Sequence, residues 1–137
     1  MNKILVLCTG NSCRSQMAEG FLKKLGCDVK SAGLESHGVN QFAVEVMREL
    51  NIDISAHQSK KIDALKLEEF NILITVCNNA KETCPNIPQI KNKIHKSFLD
   101  PVNTTSSDCD KLVIYRRVRD EIKFFCNQFF NEHYGKK

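Results

Sequence analysis

Residues 8–15 read Cys-Thr-Gly-Asn-Ser-Cys-Arg-Ser, a nucleophile and a guanidinium separated by five small residues. Gly10 and Asn11 tolerate positive φ, so the segment is expected to curl until successive N–H groups point inward as an anion nest. A helix starting near Arg14 would add its positive N-terminal end. Arg14 supplies a fork that binds two oxygens of a tetrahedral oxyanion. A cysteine in such a field is expected as a thiolate near neutral pH. Ser15 can donate its hydroxyl to that sulfur. The nest residues are thus Thr9, Gly10, Asn11, Ser12, Cys13, Arg14 and Ser15, with Cys8 as the attacking group. The plainer alternative is a tight turn holding an incidental buried cysteine, which is the reading given to Cys13.

A second pair, Cys77 and Cys84, stands seven positions apart in Cys-Asn-Asn-Ala-Lys-Glu-Thr-Cys-Pro. Zinc sites favour pairs two to four residues apart, and no second such pair exists. Two buried thiols or a redox couple remain open. Asp100-Pro101 offers an acid or merely a turn. His37, His57 and His95 read as hydrogen-bonded structural residues. The chain has seven cysteines, an odd number, so they cannot all pair internally. Their density falls short of a disulfide scaffold.

The elements that must position these groups follow from apolar periodicity. Residues 3–8 form a continuous apolar run, as a strand buried on both faces requires. Residues 14–25 carry Met17, Ala18, Phe21, Leu22 and Leu25 at helical spacing, with Gly26 as a stop. Strands are predicted at 29–32, 72–76 and 94–99. Asn40 caps a helix with Ala43, Val46, Met47 and Leu50 inside. A short helix is predicted within 80–83. The last helix buries Tyr115, Val118, Ile122, Phe125 and Phe129 and leaves its arginines on a solvated face. This alternation predicts an α/β single domain over residues 1–137, a parallel sheet covered on both faces. Ligands of such sheets bind beyond the strands' carboxyl ends. Cys8, Cys77 and Asp100 each follow a separate predicted strand and should share one rim.

The 137 residues, 42% hydrophobic and 26% charged, exclude disordered and fibrous classes. The net charge of +4 is spread among acids without aromatic interleaving, so no nucleic-acid partner is expected. The longest early apolar run is too short for a leader or a membrane span, which predicts no membrane association and a cytoplasmic protein.

The loop, followed by Gln16-Met17-Ala18-Glu19-Gly20, resembles the low-molecular-weight tyrosine phosphatase superfamily, and most closely its thioredoxin-coupled arsenate reductase branch. The likeness continues through Ser31-Ala32-Gly33, His37-Gly38-Val39-Asn40, Asp53-Ile54-Ser55, Asp100-Pro101 and residues 117–122. It implies a three-layer αβα sandwich with a four-stranded parallel sheet in the order 2-1-3-4. It also implies catalytic roles for Cys8, Arg14, Cys77, Cys84 and Asp100. In the implied relay Cys8 attacks arsenate, and Cys77 and Cys84 form the redox disulfide that thioredoxin reduces. No bound cofactor and no metal are expected, and the chain is expected to be a monomer. A tyrosine phosphatase is the rival chemistry, and an oxyanion or thiol sensor the non-catalytic alternative. Phosphatases usually follow Asp-Pro with aromatics, whereas Val102 and Asn103 follow here. Some of these reductases bind potassium through positions that Asn11, Glu19 and Ser31 match. Lys60 replaces the fourth ligand, a carboxylate, so its ammonium is expected to occupy or neighbour the ion's place and pair with Glu19, the alternative being that it points to solvent and the site is merely absent.

Overall fold

The computed structural model describes residues 3–76, 87–99, 101 and 108–134, with only the backbone of 108 and 109. The apolar run Lys3–Cys8 forms β1, buried at every position from Ile4 onward. A strand buried on both faces and both edges must be central, and it is. β1 pairs in parallel with β2 (Asp28–Gly33) on one side and β3 (Ile72–Thr75) on the other. β4 (Asn92–His95) adds to the far edge of β3, giving the expected order β2-β1-β3-β4.

Three α-helices are described: α1 (Arg14–Lys24), α2 (Gln41–Arg48) and α3 (Asp108–Tyr134). α1 stops at Gly26, whose φ of 97° suits glycine. Asn40 caps α2 as its sequence position implies, its side chain accepting from the amides of Phe42 and Ala43 at 2.8 and 3.1 Å. The period-two geometry of β1 sorts its side chains onto two faces. Ile4, Val6 and Cys8 join the core made with α1, α2 and α3. Leu5 and Leu7 face a smaller cluster with Phe70, Ile87 and Ile90, flanked by Ile62, Leu65 and Leu67. That second covering layer is built, among the described residues, from 3-10 turns at Ile62–Ala64 and Leu67–Glu69 rather than from α-helix. The short helix expected within 80–83 lies outside the described residues.

Register brings the carboxyl ends together. Cys8 lies opposite Gly33, Leu7 opposite Thr75, and Thr75 opposite His95. Val76, beyond β3, still donates to the carbonyl of Leu7 at 3.0 Å. Among the described residues no helix is long and apolar enough to cross a membrane.

Two expectations are corrected. β4 runs over Asn92–His95, not 94–99, and is largely exposed. As an edge strand it needs ladder hydrogen bonds more than apolar side chains; the buried Ile90 and Phe98 flank it instead. The arginines of α3 are not all solvated. Arg119 is 8% exposed, and its Nη1 donates to the carbonyl of Val46 at 2.9 Å and to Glu49 at 2.8 Å. It pins α3 to the carboxyl end of α2.

Arg116 donates to the same Glu49 from the surface, and its hydrogen bonds, with those of Arg119, hold that carboxyl below the usual range. Arg119→Ala leaves a buried carbonyl unpaired and is expected to cost about 1–3 kcal/mol in denaturant unfolding. Arg116→Ala, at an exposed pair, is expected to cost much less. A carboxyl with a lowered folded pKa stabilises above its unfolded value and loses that contribution as pH falls through the folded one. The gap between parent and Arg119→Ala should therefore narrow in acid.

Candidate active site

The nest forms because its carbonyls are all turned outward and taken. Thr9 O accepts from the amide of Glu35 at 2.9 Å, Gly10 O from His37 at 3.0 Å, and Ser12 O from Asn40 at 2.8 Å. Asn11 O accepts from Nε2 of Gln16 at 3.1 Å, and Cys13 O from the amide of Met17 at 2.9 Å. In a trans peptide the next residue's N–H points opposite to the carbonyl. Outward carbonyls at 9–13 therefore turn the amides of 10–14 inward. Among the described residues, the amides of Gly10, Asn11 and Ser12 meet no acceptor. α1 begins at Arg14 with no side-chain cap and no acid in its first turn, so its positive end adds to the field.

The bend lies at Asn11, whose φ is 50°. Gly10, expected to share it, is not in the left-handed region; a Cβ there would meet only the imidazole of His37. Asn11 is fully buried and its amide orientation is fixed. Oδ1 accepts from the backbone amide of Lys60 at 2.8 Å, which can only donate. Nδ2 therefore carries both protons, donating to Ser15 Oγ and Ser31 Oγ, each at 2.9 Å. Ser31 passes its own proton to Glu19 at 2.5 Å. Ser15 Oγ lies 2.8 Å from Cys8 Sγ. Since Ser15 already accepts from Asn11, its proton is free for the sulfur. Arg14 is buried, with Nη1 donating to Phe98 O at 3.3 Å.

A strap of residues 57–61 that sequence reading did not assign holds the loop from outside. Lys60 O receives the amide of Gly33 at 2.9 Å, and Ser59 Oγ donates to Gly10 O at 3.3 Å. Gln16 Nε2 donates to Gln58 O at 3.2 Å, which turns Gln16 Oε1 towards Nδ1 of His57 at 3.0 Å. His57 thus carries its proton on Nδ1 in the neutral form. Burial pushes its pKa down, against the opposing pull of Glu19. His95 bonds Thr75 Oγ1 at 2.6 Å, and His37 bonds Glu35 at 2.5 Å; all three histidines are hydrogen-bonded, as expected.

The structure gathers Cys8 and residues 9–15 into one site. Cys13 is buried in the main core. Cys77, Cys84 and Asp100 lie outside the described residues, as do Val102 and Asn103. The Lys60 expectation is corrected. Its ammonium donates to Gln58 O at 2.9 Å instead of pairing with Glu19. Lys23, one helical turn beyond Glu19, takes the carboxylate at 2.7 Å; the i,i+4 spacing was the signal for it. Asn11, Ser31 and Glu19 do meet, but their polar atoms bond one another and an ammonium already holds the carboxylate, so they do not fit a potassium ion. Among the described residues no group of three or more His, Cys, Asp or Glu is placed to hold a metal.

The family model described as low molecular weight phosphotyrosine protein phosphatase matches residues 3–137. A protein named arsenate reductase from Halalkalibacterium halodurans is 50% identical over 127 residues, covering 89% of this chain and 91% of that one. One of the same name from Staphylococcus aureus (strain Newman) is 45% identical over 129 residues, covering 92% and 94%. A solved structure titled "An arsenate reductase in the phosphate binding state" superposes with a TM-score of 0.81 at 32% identity, covering 96% of this chain and 98% of that one.

Two glycines separate tolerance from collapse. A Cβ on Gly33 would stand 2.7 Å from the carbonyls of Glu35 and Thr9 and 2.8 Å from the amide of Asn11, backbone that cannot swing away. Gly33→Ala is expected to lose oxyanion binding, measured by isothermal titration with phosphate, and about 1–3 kcal/mol of stability. Gly10→Ala meets only the exposed imidazole of His37, whose exposed bond to Glu35 is cheap to give up, and should keep most of both.

Proposed function

The chain belongs to the low molecular weight phosphotyrosine protein phosphatase family, and we propose that within it the protein works as an arsenate reductase. The observation that carries this reading is the Cys8 sulfur, held by Ser15 beside a nest whose carbonyls all face away. Such a nest suits a tetrahedral dianion, and the relatives named arsenate reductase support arsenate as that anion. No bound cofactor is required, because the thiols themselves carry the electrons.

Arg14 and the inward amides hold the anion's oxygens while the Cys8 thiolate attacks arsenic. An oxygen leaves as water, with Asp100 as the proton donor. Cys77, two residues past the end of β3 in the sequence, then attacks the Cys8 sulfur. The sulfur–arsenic bond breaks with its electron pair going to arsenic, so As(V) becomes As(III) and arsenite departs. Cys8 and Cys77 are left as a disulfide. Cys84 attacks Cys77, Cys8 leaves as a thiolate, and the Cys77–Cys84 disulfide is reduced by thioredoxin. The parallel register supports the first transfer, since the ends of β1 and β3 adjoin. A reduced, cytoplasmic setting and a monomer complete the reading.

The test is arsenate-dependent NADPH oxidation with thioredoxin and its reductase. Cys8→Ser is expected to abolish it, because a serine hydroxyl is scarcely ionised near neutrality. Cys84→Ser is expected to release about one equivalent of arsenite and stop at a Cys8–Cys77 peptide visible by mass spectrometry. Normal turnover by Cys84→Ser would overturn the three-thiol relay. Hydrolysis of p-nitrophenyl phosphate with no arsenite formed would favour the phosphatase.

A further inference from the structure

Glu19 is a carboxylate with its side chain 5% exposed, and it ends an ordered chain of hydrogen bonds that begins at Cys8. From the sulfur the chain runs through Ser15, Asn11 and Ser31 to Glu19, every link between 2.5 and 2.9 Å. A buried charge is costly unless paired. The ammonium of Lys23, 2.7 Å away, pairs with it. His57 approaches at 3.9 Å from the strap, and Lys60 acts only at longer range. The polar side chain of α1 that meets Cys8 is Ser15, at 2.8 Å.

We propose that Lys23 is a positioning residue for the nucleophile: a built-in cation that neutralises Glu19 and so keeps the chain polarised towards the Cys8 sulfur. Two effects have the same sign. Without Lys23, the full negative charge of Glu19 lies within the same buried network as the sulfur and disfavours a second anion there. An uncompensated Glu19 also draws harder on the Ser31 proton, which makes Ser31 a stronger acceptor from Asn11. Asn11 Nδ2 then donates less to Ser15, and Ser15 less to the sulfur, since such chains polarise cooperatively. Lys23 thereby supplies from within the helix the positive charge that a monovalent metal ion would otherwise bring, and the nucleophile should be indifferent to such ions.

The inference rests on Cys8 being the nucleophile of the proposed reaction, so its test reads the thiol and not turnover. The rate of Cys8 alkylation by iodoacetamide is followed against pH by peptide mass spectrometry, in the intact protein and in Lys23→Gln. Lys23→Gln is expected to alkylate several-fold more slowly near pH 6.5 and equally fast near pH 10, where the thiol is ionised in both. Lys23→Arg should restore the parent profile. Lys24→Gln, which removes the same charge from the adjacent position without touching Glu19, should leave it unmoved. Exchanging sodium for potassium should not alter the unmodified protein. A Lys23→Gln profile that coincides with the parent, an equal shift in Lys24→Gln, or a potassium response in the unmodified protein would overturn the proposal. If the parent thiol itself ionises only as an ordinary cysteine does, the reading of Cys8 as nucleophile falls with it.

Discussion

The side-chain amide of Asn11 is the point on which the site depends. It holds a left-handed backbone that most residues avoid, and fixes it by bonding β2 through Ser31, α1 through Ser15 and the strap through Lys60. The bonds to Ser15 and Ser31 are buried and that to Lys60 half-buried, so the first two do not exchange cheaply with water. The bend turns the loop's carbonyls towards the surrounding backbone of residues 35–40 and the strap. The inward amides are a consequence of that outward satisfaction, not of any group inside the nest. An anion site is therefore preorganised before any anion arrives, which is the condition under which fixed dipoles stabilise developing charge most effectively.

The sheet explains why this bend can sit beside segments so distant in sequence. β1 is buried on both faces, so it must be flanked by strands, and parallel pairing sends every carboxyl end to the same rim. The loop after β1 meets the end of β2 at Gly33, where only a hydrogen fits between the carbonyls of Thr9 and Glu35. On the other side Val76 continues the pairing with Leu7 past the end of β3. Phe98, packed edge-on against Phe125 of α3, offers its carbonyl to Arg14. Core packing and the geometry of the loop thus share side chains, and the long α3 contributes to the site through the aromatic that it buries.

What the sequence made legible follows the strength of each local signal. The strand of residues 3–8, the cap at Asn40, the stop at Gly26 and the nest loop carry chemistry that only one local structure satisfies, and they stand where expected. Lys23 was equally legible, four residues after Glu19, although the resemblance pointed to Lys60 instead. The strap formed by residues 57–61 was not legible, though His57 within it was read as hydrogen-bonded. The strap has no periodicity, and its value lies in backbone donors and acceptors, which every sequence possesses. Gln16 was hidden for a related reason: a polar residue in a helix reads as solvent-facing until a buried carbonyl is found in front of it. Arg119 was misread the same way, since nothing local announces that the carboxyl end of α2 stops beneath it.

Burial alone does not make a cysteine reactive, and the chain contains its own comparison. Cys126 of α3 is as buried as Cys8, yet its hydrogen-bond partner is the carbonyl of Ala18 at 3.9 Å, and burial pushes its thiol far up. A carbonyl offers a thiolate only the negative end of a dipole. Cys8 faces a hydroxyl whose proton Asn11 has left free, with a buried guanidinium one residue before that hydroxyl in the same helix. The difference between a packing thiol and the proposed nucleophile lies in the sign of the dipoles that meet the sulfur. In this fold that sign is set three residues after the sulfur, by the direction in which one asparagine points its amide.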